Sequence, residues 1–339
     1  MENSDSFLLQ PGVTLVSSGG AYVIERVLGH GGFGVTYLAH HQSMPDVKVA
    51  VKEHFVKSMC SREPSTSRVI YYKHLADSYN NSLRDFIAEA RRLQKEAISH
   101  PNIVSVGEVF ELNDTAYYVM EYLNGQSLGK YVESHGALSE QETIDILWPV
   151  IDAVGLLHAN RLTHLDIKPD NIMLTVDAVG ARRPVLIDFG LAKHYDQSGH
   201  ATSTINTLGV SDGFAPYEQY AGITTFSPTA DIYALGATML YCLTGQLPPK
   251  ASVGLNDTIA SLIPGNVSEA TYRAVCYAMD WDRDSRTQSI GQLQQDLAEE
   301  PVYYNDEPED TGETNRGLML AVIFTAIIAI ILLAVAILR

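Results

Sequence analysis

Basic residues are scarce in this sequence. Among its 339 residues, 23 are Lys or Arg and 40 are Asp or Glu, which gives a formal net charge of −17 at pH 7. Proteins that bind nucleic acids neutralise phosphates with clustered Lys and Arg, and the sequence has no such cluster. The composition therefore argues against a nucleic-acid-binding protein, and the acidic balance by itself identifies no other partner.

Cysteine is also scarce. The cysteines Cys60, Cys242 and Cys276 are odd in number and widely spaced, with no Cys-x-x-Cys pair, so neither a disulfide framework nor a zinc site is indicated. The N-terminal stretch MENSDSFLLQPG lacks the basic region and the long apolar run of a signal peptide. We therefore expect the main body of the chain to lie in a reducing compartment.

Charge is missing altogether from residues 317–338, GLMLAVIFTAIIAIILLAVAIL. A helix of this length spans about 33 Å, which is enough to cross the hydrocarbon core of a bilayer. The residues before it, 299–316, are rich in Asp and Glu and bury too little apolar surface to fold alone. The pattern predicts an acidic linker at 299–316 and one transmembrane helix at 317–338.

The rest of the chain changes character near its middle. From Tyr22 to about Tyr118, short runs such as VTYLAH and VKVAVKEHF predict strands, with one helix that has Phe86, Ala90 and Leu93 along one face. Residues 53–84 are interpreted as an irregular connector. From about residue 127 to 297, longer helical patterns such as ADIYALGATMLYCLTG predominate. We predict an α+β fold in which a small strand-rich lobe precedes a larger helical lobe.

A glycine-rich stretch, GHGGFGV at residues 29–35, lies between two of the predicted strands. Because glycine has no Cβ, backbone N–H groups in such a hairpin can approach an anion. A tight hairpin without a ligand is the alternative, and a dinucleotide-binding loop is disfavoured because a strand follows rather than a helix.

Lys52 lies in the apolar strand VAVKEHF, where a buried ammonium group needs a carboxylate or a phosphate as partner. Glu89, on the predicted helix, can supply the carboxylate. A solvated lysine at a strand edge is the alternative interpretation of Lys52.

The stretch HLDIKPDN, residues 164–171, places several reactive side chains in one loop. Asp166 can accept a proton from a hydroxyl group, Lys168 can neutralise phosphate charge, and Asn171 can ligate a hard cation. Asp188, in VLIDFGLA, can supply a second oxygen ligand. Phosphoryl transfer requires these parts together: a cover for the phosphates, cations, a base and ligands for magnesium.

The motifs GHGGFGV, VAVK, HLDIKPDN and DFG, in this order and spacing, resemble the signature set of protein kinases. The chain is similar to serine/threonine protein kinases, and its C-terminal span together with DGFAPYEQY resembles the bacterial, eukaryotic-like membrane kinases. The resemblance implies a bilobal kinase fold at residues 22–298, after an N-terminal extension at 1–21. It also implies ATP and Mg²⁺ as cofactors, and transfer of the γ-phosphate of ATP to Ser or Thr hydroxyls of protein substrates.

The resemblance also implies roles for individual residues. Catalysis is assigned to Asp166 and Lys168, and metal binding to Asn171 and Asp188. Met120 is expected to precede the hinge that contacts the adenine, and Asp231 to brace the catalytic loop. ATP binding is assigned to Leu28, Gly29, His30, Gly31, Gly32, Phe33, Gly34, Val35, Thr36, Ala50, Lys52, Glu89, Glu121 and Leu123.

Two departures from the family pattern are visible. Leu165 replaces the arginine that usually receives a phosphate from the activation loop, so we expect only a weak dependence on phosphorylation of that loop. The family's Ala-Pro-Glu reads APYE here; aligned without a gap, Glu218 takes the glutamate position and is expected to pair with Arg286. In the same register, Ser211 is expected to help position Asp166 and Lys168.

Two other functions remain as alternatives. A pseudokinase would act as a membrane-tethered binding scaffold, but it usually lacks one of the reactive residues, and all are present here. A small-molecule phosphotransferase usually lacks this lysine spacing and an activation segment of this kind. For the leading interpretation we expect an inner-membrane, single-pass protein with its kinase body in the cytoplasm and no nucleic-acid partner; a homodimer is left open.

Overall fold

The computed structural model describes residues 7–32, 34–94, 98–177, 179–189, 193–194, 210–220, 227–251 and 255–298, and the statements below refer to these residues. Several predictions fall outside them. These concern Phe33 of the glycine-rich stretch, Gly190 of the DFG motif, the acidic linker at 299–316 and the apolar segment at 317–338.

Thirteen strands and eight helices are found in the described part of the chain. The strands are β1 (Thr14–Val16), β2 (Ala21–Gly31), β3 (Gly34–His41), β4 (Met44–His54), β5 (Cys60–Arg62), β6 (Val69–Tyr71), β7 (Val106–Leu112), β8 (Thr115–Glu121), β9 (Gln126–Ser127), β10 (Leu162–Thr163), β11 (Ile172–Val176), β12 (Arg182–Leu186) and β13 (Lys193–His194). The helices are α1 (Ala76–Leu93), α2 (Leu128–His135), α3 (Glu140–Ala159), α4 (Tyr217–Tyr220), α5 (Thr229–Thr244), α6 (Leu255–Leu262), α7 (Glu269–Ala278) and α8 (Ile290–Ala298).

The small lobe is built on a six-stranded antiparallel sheet with the order β1-β2-β3-β4-β8-β7. β2 and β3 form the predicted glycine-rich hairpin, which closes where Gly31 pairs with Gly34. β4 pairs with β3 on one side and with β8 on the other, so Lys52 lies on a central strand and not at an edge. The sheet begins earlier than expected, because β1, which precedes Tyr22, pairs with β2.

Residues 53–84 are more regular than the sequence indicated. They contain the hairpin of β5 and β6, a short 3-10 helix at Lys73–Leu75 and the first turns of α1. The backbone N–H of Val69 donates to the carbonyl of Asn113, and Arg68 forms an ion pair with Asp114 in the β7–β8 turn. The interpretation as an irregular connector was therefore wrong: the segment is an ordered part of the small lobe.

The large lobe is organised around α5, which is buried along nearly its whole length. Most of its residues are apolar, which fits the packing of α5 against both α3 and α7. Gly245 ends the helix in a left-handed conformation with φ of +66° that glycine adopts without strain. Ser139 begins α3 as an N-cap, its side chain accepting a hydrogen bond from the N–H of Glu142.

Short strands position the reactive loops beneath the small lobe. HLDIKPDN connects β10 to β11, and Asp188 follows β12, which pairs with β11. The β11–β12 hairpin therefore brings the two predicted metal ligands, Asn171 and Asp188, to the same end of the pair. Among the described helices, none combines the length and apolar character needed to cross a bilayer.

Candidate active site

Asp166 is the centre of a hydrogen-bonded cluster in the loop between β10 and β11. Its Oδ1 accepts from the hydroxyl of Ser211 at 2.6 Å, and Lys168 Nζ lies within 3.0 Å of both carboxylate oxygens. Lys168 also donates to Ser211 Oγ at 2.8 Å. The Asn171 amide donates to the backbone carbonyl and to Oδ2 of Asp166, both at 2.8 Å. The predicted contacts of Ser211 with Asp166 and Lys168 are found in the structure, and the catalytic and metal-binding roles stay predictions.

The backbone before Asp166 is fixed by a buried carboxylate on α5. Asp231 is fully buried and accepts from the backbone N–H groups of His164 and Leu165, each at 2.8 Å, and from the His158 ring at 2.8 Å. Burial favours the neutral acid, but these donors outweigh it and hold the pKa of Asp231 below its ordinary value. The predicted bracing geometry is therefore present.

Leu165 adopts a left-handed backbone with φ of +64°. For a non-glycine residue this conformation costs about 1–3 kcal/mol, so surrounding contacts must hold it. Its side chain is buried, its N–H is held by Asp231, and its carbonyl accepts from Gln219 Nε2 at 3.0 Å. Sequence reasoning did not predict a role for Gln219. Its hydrogen bond connects α4 to Leu165, the residue before Asp166.

Lys52 forms an ion pair with Asp188 across the cleft between the lobes. Burial lowers the pKa of Lys52, but the charge of Asp188, its hydrogen bond to Lys52 and the neighbouring Tyr118 together outweigh burial, so the net shift is upward and the lysine stays protonated. Glu89 is buried on α1 and its charge also contributes to this rise. The Asp188 pair was not predicted, and a direct Lys52–Glu89 pair stays a prediction.

A cavity of about 1160 Å³ lies between the two lobes and contains most of the predicted site. Asp166, Lys168, Asn171 and Asp188 form its floor. The predicted nucleotide residues that line it are Leu28, Gly29, His30, Gly31, Gly32, Gly34, Thr36, Ala50, Lys52, Glu121 and Leu123.

Val35 does not line this cavity, and its assignment to the ATP site stays a prediction. Successive side chains of a strand point to opposite faces of the sheet, so Thr36 and Val35 cannot both face the cleft. Thr36 lines the cavity, whereas Val35 is buried in the core of the small lobe.

Sequence reasoning missed one wall of the cavity. Val56, Ser58 and Met59, from the segment between β4 and β5, line it together with Ser82 of α1. Their residue types carry no signal of a binding role, and only the folding of residues 53–84 onto the sheet places them there.

The donor set at the base of the cleft suits magnesium. Asp188 supplies carboxylate oxygens, and the Asn171 amide, whose nitrogen faces Asp166, presents its oxygen on the other side. In the described part of the chain no group of three or more His, Cys, Asp or Glu side chains could hold a metal alone. Mg²⁺ is commonly held by one or two protein oxygens together with substrate phosphates, so the residues fit it.

A second buried ion pair supports the segment that carries Ser211 and Gln219. Arg286 NH1 lies 2.7 Å from Glu218 Oε1, and its NH2 lies 3.3 Å from Oε2, with both side chains buried. Arg286 also donates to the carbonyl of Thr229 at the start of α5. The predicted pairing of Glu218 with Arg286 is thus found in the structure.

Comparison with known proteins identifies the family. The description "Protein kinase domain" matches residues 22–289. Serine/threonine-protein kinase PrkC of Bacillus subtilis is 33% identical over 229 residues, which are 68% of this chain and 31% of that protein. Serine/threonine-protein kinase F of Synechocystis is 34% identical over 237 residues, which are 67% of this chain and 44% of that protein. Serine/threonine-protein kinase PknA of Nostoc is 32% identical over 242 residues, which are 68% of this chain and 38% of that protein.

The chain belongs to the protein kinase family. The prediction of a serine/threonine protein kinase domain is confirmed by these relatives, and the two lobes described above fit the bilobal kinase fold. The matched region spans less than half the length of each of these three relatives.

Proposed function

We propose that this protein transfers the γ-phosphate of ATP to serine or threonine hydroxyls of protein substrates. The observation that carries the proposal is the convergence of Lys52, Asp166, Lys168, Asn171 and Asp188 on one interlobe cavity. Names of relatives at about 30% identity support the same chemistry. ATP would lie between the glycine-rich hairpin and the floor of the cleft.

Each side chain has a role that follows from its contacts. Lys52, kept protonated by its surroundings, would hold the α- and β-phosphates, since a buried ammonium group requires an anionic partner. Asp166 would orient the acceptor hydroxyl and receive its proton. Lys168, which contacts Asp166 and Ser211, would offset the negative charge on the phosphoryl group in the transition state. Asn171 and Asp188 would bind magnesium, which supplies charge neutralisation at the phosphate oxygens.

The proposed roles of Lys52 and Asp188 are tested by matched substitutions. We expect Lys52→Met and Asp188→Asn to lower transfer by about 10²-fold or more, because such electrostatic contributions are typically that large. Both variants should stay folded, as judged by thermal unfolding. The controls are Lys48→Met and Asp46→Asn, exposed residues of the same strand β4, which should keep the wild-type rate. Transfer above about a tenth of the wild-type rate in either test variant would contradict the assigned role.

We also propose that the apolar segment at 317–338 anchors the protein in a membrane with the kinase body in the cytoplasm. The support is the sequence pattern alone: a long uncharged run after an acidic stretch. Cytosolic ATP and three cysteines without a disulfide pattern favour that side. The acidic linker would be repelled by anionic lipid head groups.

A further inference from the structure

The N-terminal segment before β1 lies outside the region matched by the kinase family, yet it is fastened to the small lobe. Arg62 Nε donates to the carbonyl of Phe7 at 2.6 Å. The N–H of Leu9 donates to the Tyr37 hydroxyl at 3.2 Å, and the Leu9 side chain is buried. The segment is therefore held by its backbone as well as by apolar packing.

The N-terminal segment is attached to a buried, charged cluster around Glu53, on the strand β4 that also carries Lys52. Glu53, fully buried, accepts from Arg62 NH2 at 2.5 Å, from the Tyr37 hydroxyl at 3.0 Å and from the Tyr117 hydroxyl at 2.7 Å. Because Glu53 and Lys52 are neighbours on β4, they point to opposite faces of the sheet. The N-terminal segment is thus fixed on the face of the sheet opposite the cleft.

The ring of Phe7 joins three parts of the small lobe. It stacks on Phe55, with ring centroids 5.5 Å apart, and Lys57 Nζ lies 4.7 Å from its centroid. The Phe7 ring also contacts the glycine-rich hairpin. The ring centroids of Phe7 and His30 lie 6.0 Å apart, and the ring planes meet at 84°. Edge-to-face rings at this distance attract each other. Phe7 therefore joins Phe55 and Lys57, which alternate in sequence with the cavity-lining Val56 and Ser58, to the hairpin that lines the cleft.

The glycine-rich hairpin needs such support because its glycines have no side chains that could pack against the rest of the lobe. A Cβ built at Gly29, Gly31 or Gly32 would meet no atom within 4 Å, so the backbone there is open. Glycine also leaves the chain conformationally permissive. A side-chain contact at His30 is therefore an effective way to restrict this part of the hairpin.

We propose that Phe7 is a positioning residue for nucleotide binding, holding His30 and the glycine-rich hairpin against Phe55 and Lys57. The inference rests on the proposed function only in naming ATP as the ligand. The contact between Phe7 and His30 positions the hairpin that binds the nucleotide and touches no reacting group. Its loss should therefore weaken nucleotide binding and leave the rate of phosphoryl transfer unchanged.

The test is the dissociation constant of ATP, measured with magnesium on the full chain, alongside kcat and KM. We expect Phe7→Ala to raise Kd and KM for ATP about two- to tenfold, the range that an edge-to-face aromatic contact is worth, with kcat unchanged. Phe7→Tyr, which keeps the ring, should bind like wild type. Phe110→Ala is the control for lost aromatic packing: this ring stacks on Tyr117 in the small lobe and does not line the cleft. It should lower the melting temperature and leave Kd unchanged.

A double-mutant cycle separates positioning from general stability. His30→Ala should raise Kd, and adding Phe7→Ala to it should have little further effect, because both remove the same contact. An unchanged Kd in Phe7→Ala, or additive effects in the double variant, would overturn the inference. Failure of the proposed function has a different signature: the wild-type chain would bind ATP without transferring phosphate, and the Phe7 effect on Kd would still be measurable.

Discussion

Leu165 takes the arginine position of the H-R-D motif in the kinase signature. Two contacts of its backbone account for how the loop is held here. Its N–H is bound by Asp231 from α5, and its carbonyl is bound by Gln219 from α4. The peptide that leads into Asp166 is therefore held on both sides by side chains of the chain itself, the Asp231 carboxylate and the Gln219 amide. No phosphate is needed for either contact.

Gln219 should matter for turnover more than for nucleotide binding. We expect Gln219→Leu to lower kcat about fivefold, the value of one hydrogen bond worth about 1 kcal/mol, while KM for ATP stays the same. Steady-state kinetics at varied ATP measure both constants. Gln141→Leu, at an exposed position in the first turn of α3, serves as the control. An unchanged kcat in Gln219→Leu would show that Asp231 alone positions the loop.

At the scale of elements, β4 and α1 meet around a buried histidine. The His54 ring packs against Tyr79 and Phe86 of α1, and its Nε2 lies 2.9 Å from Ser82 Oγ. Burial lowers the pKa of His54 to about 4. The ring is therefore neutral in the folded protein at pH 7, and the packing of α1 on β4 depends on that neutral form.

This contact predicts acid sensitivity. The unfolded chain binds a proton at His54 below about pH 6.5, whereas the folded chain does so only near pH 4, so stability is lost as pH falls through this window. Between pH 7 and pH 5 the loss from His54 should be about 2 kcal/mol. Urea unfolding at the two pH values measures it. His54→Phe keeps a ring and should lose less stability on acidification; an equal loss in both proteins would contradict the assignment.

The elements differ in how far the sequence could predict them. The glycine-rich hairpin and the loop around Asp166 are recognised from short local motifs, although distant residues such as Asp231 and Gln219 hold the loop in place. The three-residue strands β5 and β6 have no periodicity, and they are placed by distant contacts such as Arg62 with Glu53 and Val69 with Asn113. The Lys52–Asp188 pair likewise joins residues that only the fold brings together. The face to which Val35 points could have been predicted from the alternation along β3.

At the scale of the whole molecule, the kinase domain is followed by an acidic stretch at 299–316 and an uncharged, apolar stretch at 317–338. If residues 317–338 serve only as an anchor, deleting residues 317–339 should move the protein from the membrane fraction to the soluble fraction. The truncated protein should keep the phosphoryl-transfer rate of the full chain, because the described cleft is made entirely of earlier residues. Fractionation and a transfer assay measure the two outcomes. A folded but inactive truncated protein would show that the segment takes part in catalysis.

The central claim is phosphoryl transfer from ATP to Ser or Thr by Asp166 and its neighbours. Its most direct measurement is incubation of the purified full chain with γ-labelled ATP, magnesium and a generic protein substrate, followed by phosphoamino acid analysis. We expect label on serine and threonine with the wild type, and a loss of about 10²-fold or more with Asp166→Asn, which removes the proton acceptor and keeps the shape of the side chain. No transfer by a wild-type chain that binds ATP, or equal transfer by Asp166→Asn, would contradict the claim.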